Sequence, residues 1–173
     1  MSDKFRIYRY KIWLMVVIFV TCHLSLITSC SSIDCPVQTA VRTVYSVRDA
    51  SQPADTLRDT LSVVTYRVNH TDTVLLSLAS GVVQFSLPVG YANPEDTLYF
   101  VFRNAAFRAI DTVLVKKENI PHFESVDCSA SFFHNITAIR STHHAIDTII
   151  INNPSVTYDA SAEHFYLSIK SRD

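Results

Sequence analysis

The chain has 173 residues, with 15 Lys and Arg against 16 Asp and Glu, a formal net charge of −1. Without a basic excess it is a poor match for nucleic acid or an anionic lipid surface. Its two glycines, Gly81 and Gly90, are too few and too far apart for a P-loop, a dinucleotide fingerprint or a Gly-x-Ser-x-Gly elbow.

The first element is a leader. Lys4, Arg6, Arg9 and Lys11 stand against Asp3 alone, and an apolar run follows from Ile12 to Ile27, broken by Thr21, Cys22, His23 and Ser25. The run falls short of the roughly 20 apolar residues that span a bilayer. A basic start, a short apolar stretch and small residues before a cysteine fit a cleaved export signal. An uncleaved helix holding the domain at the inner membrane is the alternative. Ile27-Thr28-Ser29-Cys30 resembles the lipobox of bacterial lipoproteins. That resemblance implies cleavage before Cys30 and lipid on Cys30, and two or three acyl chains anchor stably. The expected organisation is a lipoprotein signal peptide at 1–29, a tether at 30–39 and one β-domain at 40–173. The processed chain keeps eleven cations against fifteen anions, net −4.

There are four cysteines. Cys22 leaves with the signal and Cys30 is occupied by lipid. Cys35 and Cys128 remain, either as a disulfide in an oxidising compartment or as two buried free thiols. No Cys-x-x-Cys occurs, so neither a redox motif nor a zinc knuckle is expected.

After the leader, short β-branched and aromatic runs alternate with Asp, Asn, Pro and Ser clusters. Strands are predicted at 40–47, 61–68, 73–78, 82–87, 97–103, 112–116, 131–140, 146–151 and 164–170. Leu98–Phe102 and Ile149–Ile151 read as buried on both faces. Asp-Thr followed by an aliphatic recurs at Asp55, Asp59, Asp72, Asp96, Asp111 and Asp147. Asp closes a turn through its side chain and Thr opens the next strand. Calcium ligation is the sharper alternative, but calcium loops cluster their oxygens and place a glycine at the turn. The fold class is all-β, an antiparallel β-sandwich of about seven to nine strands, with a small β-barrel as the alternative.

No catalytic or metal constellation stands out, and no cofactor is expected. His70, His122, His134, His143, His144 and His164 read as loop histidines with one partly packed member, His134. A metal site built on His143 and a distant partner is the sharper reading. Tyr91, ahead of Asn93-Pro94, and Tyr158 sit in predicted loops, where they could stack on sugar rings or simply cover the sandwich end.

Several short motifs carry a family resemblance: Cys30, Asp34-Cys35-Pro36, Phe85-Ser-Leu-Pro88 before Asp96-Thr-Leu-Tyr-Phe-Val-Phe102, Phe123-Glu-Ser-Val-Asp-Cys128, and Glu163-His-Phe-Tyr-Leu-Ser-Ile169. The chain resembles a family of small, uncharacterised Bacteroidetes lipoproteins. Ser129 stands where that pattern has glycine. The resemblance implies an envelope location and paired Cys35 and Cys128, and it implies no activity. The expected function is non-enzymatic: an interaction module anchored in the cell envelope, at the outer membrane, through lipidated Cys30, with an envelope protein as partner and no nucleic acid. Leu87-Pro88 and the terminal strand are candidate sheet edges for β-augmentation. A glycan-binding accessory lipoprotein and a fimbrial-type structural subunit are the alternatives.

Overall fold

The computed structural model describes residues 3–25, 41–49, 51, 53–66, 72–128 and 130–171. Cys30, Cys35 and His70 lie outside the described residues. The chain forms two compact units, Met1–Asp34 and Cys35–Asp173. In the first, α1 spans Asp3–Ser25, and its residues 6–20 are exposed. Among the described residues no helix is long and apolar enough to cross a membrane. The cations at Lys4, Arg6, Arg9 and Lys11 occupy the first half of α1.

The second unit is all-β. Its strands are β1 (Arg42–Val47), β2 (Thr60–Tyr66), β3 (Asp72–Ala79), β4 (Gln84–Pro88), β5 (Glu95–Arg103), β6 (Arg108–His122), β7 (Ser131–Ser141), β8 (Ile146–Ile151), β9 (Ser155–Val156) and β10 (Phe165–Ile169). They form two sheets, ordered β4-β1-β10-β8 and β3-β2-β5-β6-β7-β9. One of the two sheets curls into a half-barrel. All pairings are antiparallel except that of β1 with β10, which is parallel. A parallel pair needs a long crossover, and here nearly the whole unit supplies it.

The core lies between the sheets. Tyr45 at its centre is fully buried. Its ring stacks on Phe85 at 5.1 Å and meets Phe165 at 4.7 Å and Phe100 at 5.7 Å. Burial of the phenol pushes its pKa up. These rings come from both sheets, so the aromatic contacts join the layers as well as filling them.

Edges explain where the structure departs from the periodicity. Ile149–Ile151 is not buried on both faces: β8 ends its sheet, and Ile150 is 43 % exposed. Leu98–Phe102 alternates, with Leu98, Phe100 and Phe102 buried and their neighbours half-buried. The terminal strand is no edge, because β10 runs between β1 and β8, whereas β4, which carries Leu87-Pro88, is one. Edge strand β3 takes two register shifts against β2, each adding a residue to β3. Leu78 in that irregular stretch has a φ of 50°, the strained left-handed region. Bulges of this kind spoil an edge as a template for further strands.

One carboxylate controls the passage between sheets. Asp111 lies on the inward stripe of β6 with Val113, Val115 and Lys117, all buried. It accepts the N–H groups of His144, Ala145 and Ile146 at 2.7–2.8 Å and the Thr142 hydroxyl at 2.8 Å. Those donors are the turn that carries the chain from β7 into β8. Burial alone would raise the Asp111 pKa, but the four hydrogen bonds outweigh it and hold it below the usual value. Asp111→Asn keeps the shape, removes the charge and turns an amide N–H₂ toward backbone donors. Urea unfolding should show a loss of about 3 kcal/mol. A loss no larger than that of an ordinary surface substitution would mean that the corner does not depend on this carboxylate.

Candidate functional site

The strands define two ends. β1 and β10 both run from the end where Val41 brings the chain in toward the end marked by Val47 and Ile169. The β6–β7 hairpin lies at the incoming end, because β6 runs there from its hairpin with β5.

That hairpin runs on past β5. β5 pairs β6 only as far as Lys116, while β6 and β7 stay paired to His122 and Ser131. The Lys117 N–H still bonds the Pro94 carbonyl at 2.8 Å, so the five residues 118–122 extend past β5 by roughly 17 Å at ~3.3 Å per residue. Pro121 falls in this stretch, where one side of β6 has no β5 partner and a missing N–H is tolerated. The sequence prediction ended this strand at residue 116, before its charges and proline. Beyond His122 the chain turns through residues 123–130, and Cys128 within that loop is disulfide-bonded. Its partner lies outside the described side chains.

A polar cluster roots the overhang. The Lys117 side chain is fully buried and meets Asp96 Oδ1 at 2.8 Å, and its Nζ donates to the Asn93 carbonyl at 3.0 Å. The Gly90 N–H donates to the other Asp96 oxygen at 3.3 Å. A Cβ on Gly90 would come within 3.2 Å of Asp96 Oδ1, so close approach explains this glycine. Asn119 continues the line, donating to the Tyr91 carbonyl and facing His134 Nδ1, each at 2.8 Å. With the Asn119 amide oxygen as acceptor, His134 carries its proton on Nδ1. Burial first, then the nearby Lys117 charge, lowers the His134 pKa to about 4, against a raising effect of Asp96.

The two tyrosines of interest sit at this same end without sharing a site. The Tyr91 ring, 65 % exposed, stacks on Phe132 at 5.1 Å. Tyr158 meets Phe133 edge-on at 4.9 Å and donates its hydroxyl to Ser131 Oγ at 2.6 Å. Phe132 and Phe133 are neighbours in β7 and point to opposite faces. Tyr158 is tied into the hairpin together with His122, which stacks on Phe133 at 4.1 Å. Tyr91 keeps most of its ring open.

The far end carries a cleft of about 310 Å³. Asp49, Asp55 and Asp59 line it together with Arg58, Lys170 and Asn104. Asn104 Nδ2 donates to Asp59 Oδ1 at 2.8 Å. Among the described residues no group of three His, Cys, Asp or Glu side chains is placed to hold a metal ion.

One packed histidine is expected from the sequence; among the described residues there are two, His134 and His164. His164 Nδ1 accepts the Val44 N–H at 3.0 Å, and the His164 backbone N–H donates to the Val44 carbonyl at 3.0 Å. Burial is the main cause of its lowered pKa, opposed by the Ser155 carbonyl and Asp159. Both rings are neutral in the fold, whereas an unfolded His has a pKa near 6.5. The unfolded chain therefore binds more protons below that value. Stability should be complete above about pH 6.5 and fall as pH drops toward 4, with His134 contributing roughly 3 kcal/mol of the loss. Below that window Asp111 adds its own loss. Urea midpoints taken across pH 7.5 to 4 check this: His134→Gln should shrink the first decline, and an unchanged slope would refute the assignment.

Comparison with known proteins returns one family. DUF6452, described as a family of unknown function, matches residues 60–169, from the start of β2 to the end of β10. No curated protein and no solved structure matches the chain. The match covers more than half of the sequence and all but the first strand of the two sheets, so the chain belongs to the DUF6452 family of unknown function.

Proposed function

We propose that this protein is a lipid-anchored cell-envelope protein whose β-unit serves as a non-enzymatic interaction module. The observation that carries the reading is the leader: basic residues, a short apolar run, then Ile27-Thr28-Ser29-Cys30. The fold supports it in one respect. The chain comes in at Val41 beside β4, while the charged cleft lies at the opposite end, around Val47 and Ile169. A domain tethered by its N-terminal segment would hold that cleft away from the anchor, toward a partner. The cleft mixes carboxylates with Arg58 and Lys170, and this suits a polar protein segment of mixed charge better than an apolar ligand. β4 offers a second contact, as an edge strand paired on one side by β1.

The bond of Cys128 to Cys35 belongs to the same proposal. It would pin the N-terminal segment to the overhanging hairpin. The loop it closes holds 93 residues, and loop entropy puts its contribution at up to about 4.7 kcal/mol.

Tyr91 favours a second reading, glycan binding. Its open ring is backed by Phe132 and flanked by Asn93 and Asn119, and an exposed aromatic beside amides can stack on a sugar. Retention on polysaccharide gels that Tyr91→Ala abolishes would support this reading, whereas a module for protein partners alone would show no such retention.

Mass spectrometry of the protein purified from membranes tests the anchor. The expected product begins at Cys30 and carries two or three acyl chains. An intact Met1, or an unmodified Cys30 thiol, overturns it. Peptide mapping without reductant should then give a Cys35–Cys128 linked pair, and a link from Cys128 to any other cysteine would refute that pairing.

A further inference from the structure

We infer that the tip of the β6–β7 hairpin is a membrane-contacting surface that rests in the headgroup region of a zwitterionic phospholipid bilayer. The inference rests on the lipid-anchor reading and deepens it by naming which face of the β-unit meets the membrane.

Exposed apolar side chains gather at this tip, as Tyr66, Val74, Leu78 and Val83 do on the β2–β4 side. Val126 is 99 % exposed, Phe123 66 % and Ile120 48 %. Tyr91 and Tyr158 flank them through Phe132 and Phe133. Of the four exposed aromatics among the described residues of the β-unit, Tyr91, Phe123 and Tyr158 are here, and the fourth is Tyr66 at the end of β2. Such a group on a protruding arm is costly in water. Tyrosines around an apolar tip suit an interface that is wet on one side and oily on the other.

The length of chain ahead of the fold selects the occupant. Cys30 lies eleven residues before Val41, and an extended chain spans at most about 3.3–3.6 Å per residue, or ~38 Å here. That exceeds the ~17 Å overhang, and the chain comes in at the same end, so a lipid on Cys30 can lie level with the tip. If Cys128 bonds to Cys35, only five residues separate the anchored cysteine from the tip, a reach of about 17 Å. The bilayer is then the nearest apolar phase to Phe123 and Val126.

Charge decides the kind of bilayer. Glu124 and Asp127 sit among the apolar tip residues, and Glu118 precedes them on β6. An anionic surface would repel this group, whereas zwitterionic headgroups accept it. Contact is therefore apolar in origin and weakens as anionic lipid is added.

Tryptophan supplies the test. The chain has one Trp, Trp13 in the leader, so Phe123→Trp and Val83→Trp each place a reporter in the β-unit. Val83 is also exposed, at 53 %, but lies between β3 and β4 at the far end. Each full-length variant, purified from membranes, is reconstituted into phosphatidylcholine vesicles containing brominated lipid. Phe123→Trp should be quenched several-fold more strongly than Val83→Trp, and the difference should shrink as phosphatidylglycerol is added. Any retained Trp13 adds equally to both. The mass of the same sample reports the lipid on Cys30. Lipid present with equal quenching at both positions overturns the docking surface and leaves the anchor standing. Lipid absent overturns the anchor, and the docking surface survives only if Phe123→Trp is still preferentially quenched. Unquenched Trp at position 123 together with a dimer on gel filtration would assign the tip to a second copy of the chain and overturn the proposal.

Discussion

The carboxylate of Asp111 sets where the two sheets meet. Turning from β7 into β8 takes the backbone out of one ladder before it joins the next. The N–H groups of His144, Ala145 and Ile146 lose their ladder partners there, the last two of them buried, and a buried unpaired donor costs much of a hydrogen bond. One fully buried carboxylate accepts all three, with the Thr142 hydroxyl as a fourth donor. The backbone around it closes the same corner, since Thr142 N–H bonds the Thr112 carbonyl at 3.0 Å. β8 therefore starts beside β6, β10 pairs onto β8, and β1 onto β10. The four-stranded sheet is laid across the other from this point.

The same strand carries a buried charge at each end of its apolar stripe. Asp111, Val113, Val115 and Lys117 alternate along the inward face of β6. A buried charge is tolerable only when its partners are close and well placed. Asp111 finds its partners in backbone, and Lys117 finds Asp96 and the Asn93 carbonyl. The core ends where these charges begin. Beyond Asp111 lies a cleft of mixed charge. Beyond Lys117 lies a hairpin that has run past β5 and keeps its shape through ring contacts of its own.

Much of this was readable in the chain. β8 falls at Ile146–Ile151 as the β-branched run indicates, and β7 begins at Ser131 as expected. Those segments are apolar, and burial follows hydrophobicity. The overhang was not readable, because Lys116-Lys117-Glu118-Asn119-Ile120-Pro121 has the composition of a loop. It stays extended because β7 pairs with it and because Lys117 is neutralised by a residue 21 positions away in sequence. The Asp-Thr signature misled at two places. Asp59, Asp72, Asp96 and Asp147 stand at the starts of strands, as turn chemistry predicts, but Asp55 opens no strand and Asp111 lies inside β6. Dipeptide chemistry cannot tell a turn aspartate from one that receives a turn from elsewhere in the chain. β9, two residues long, pairs only with His134 and Asn135 and leaves no periodic trace.

The single parallel pair gives the unit a direction. Antiparallel pairing of the first and last strands would put both ends of the chain on one side. With β1 and β10 parallel, the chain comes in at one end and Ile169 leaves at the other. The pairing needs support where it begins, because His164 precedes the first ladder partner of β10. Its imidazole takes the Val44 N–H in place of a carbonyl, while the His164 backbone N–H bonds the Val44 carbonyl. A side chain thus completes the first rung of the parallel ladder, and only a neutral ring can do so, because a protonated Nδ1 no longer accepts. The direction of the unit, and with it which face a tether could bring to a surface, depends on a ring that the fold keeps uncharged by burying it.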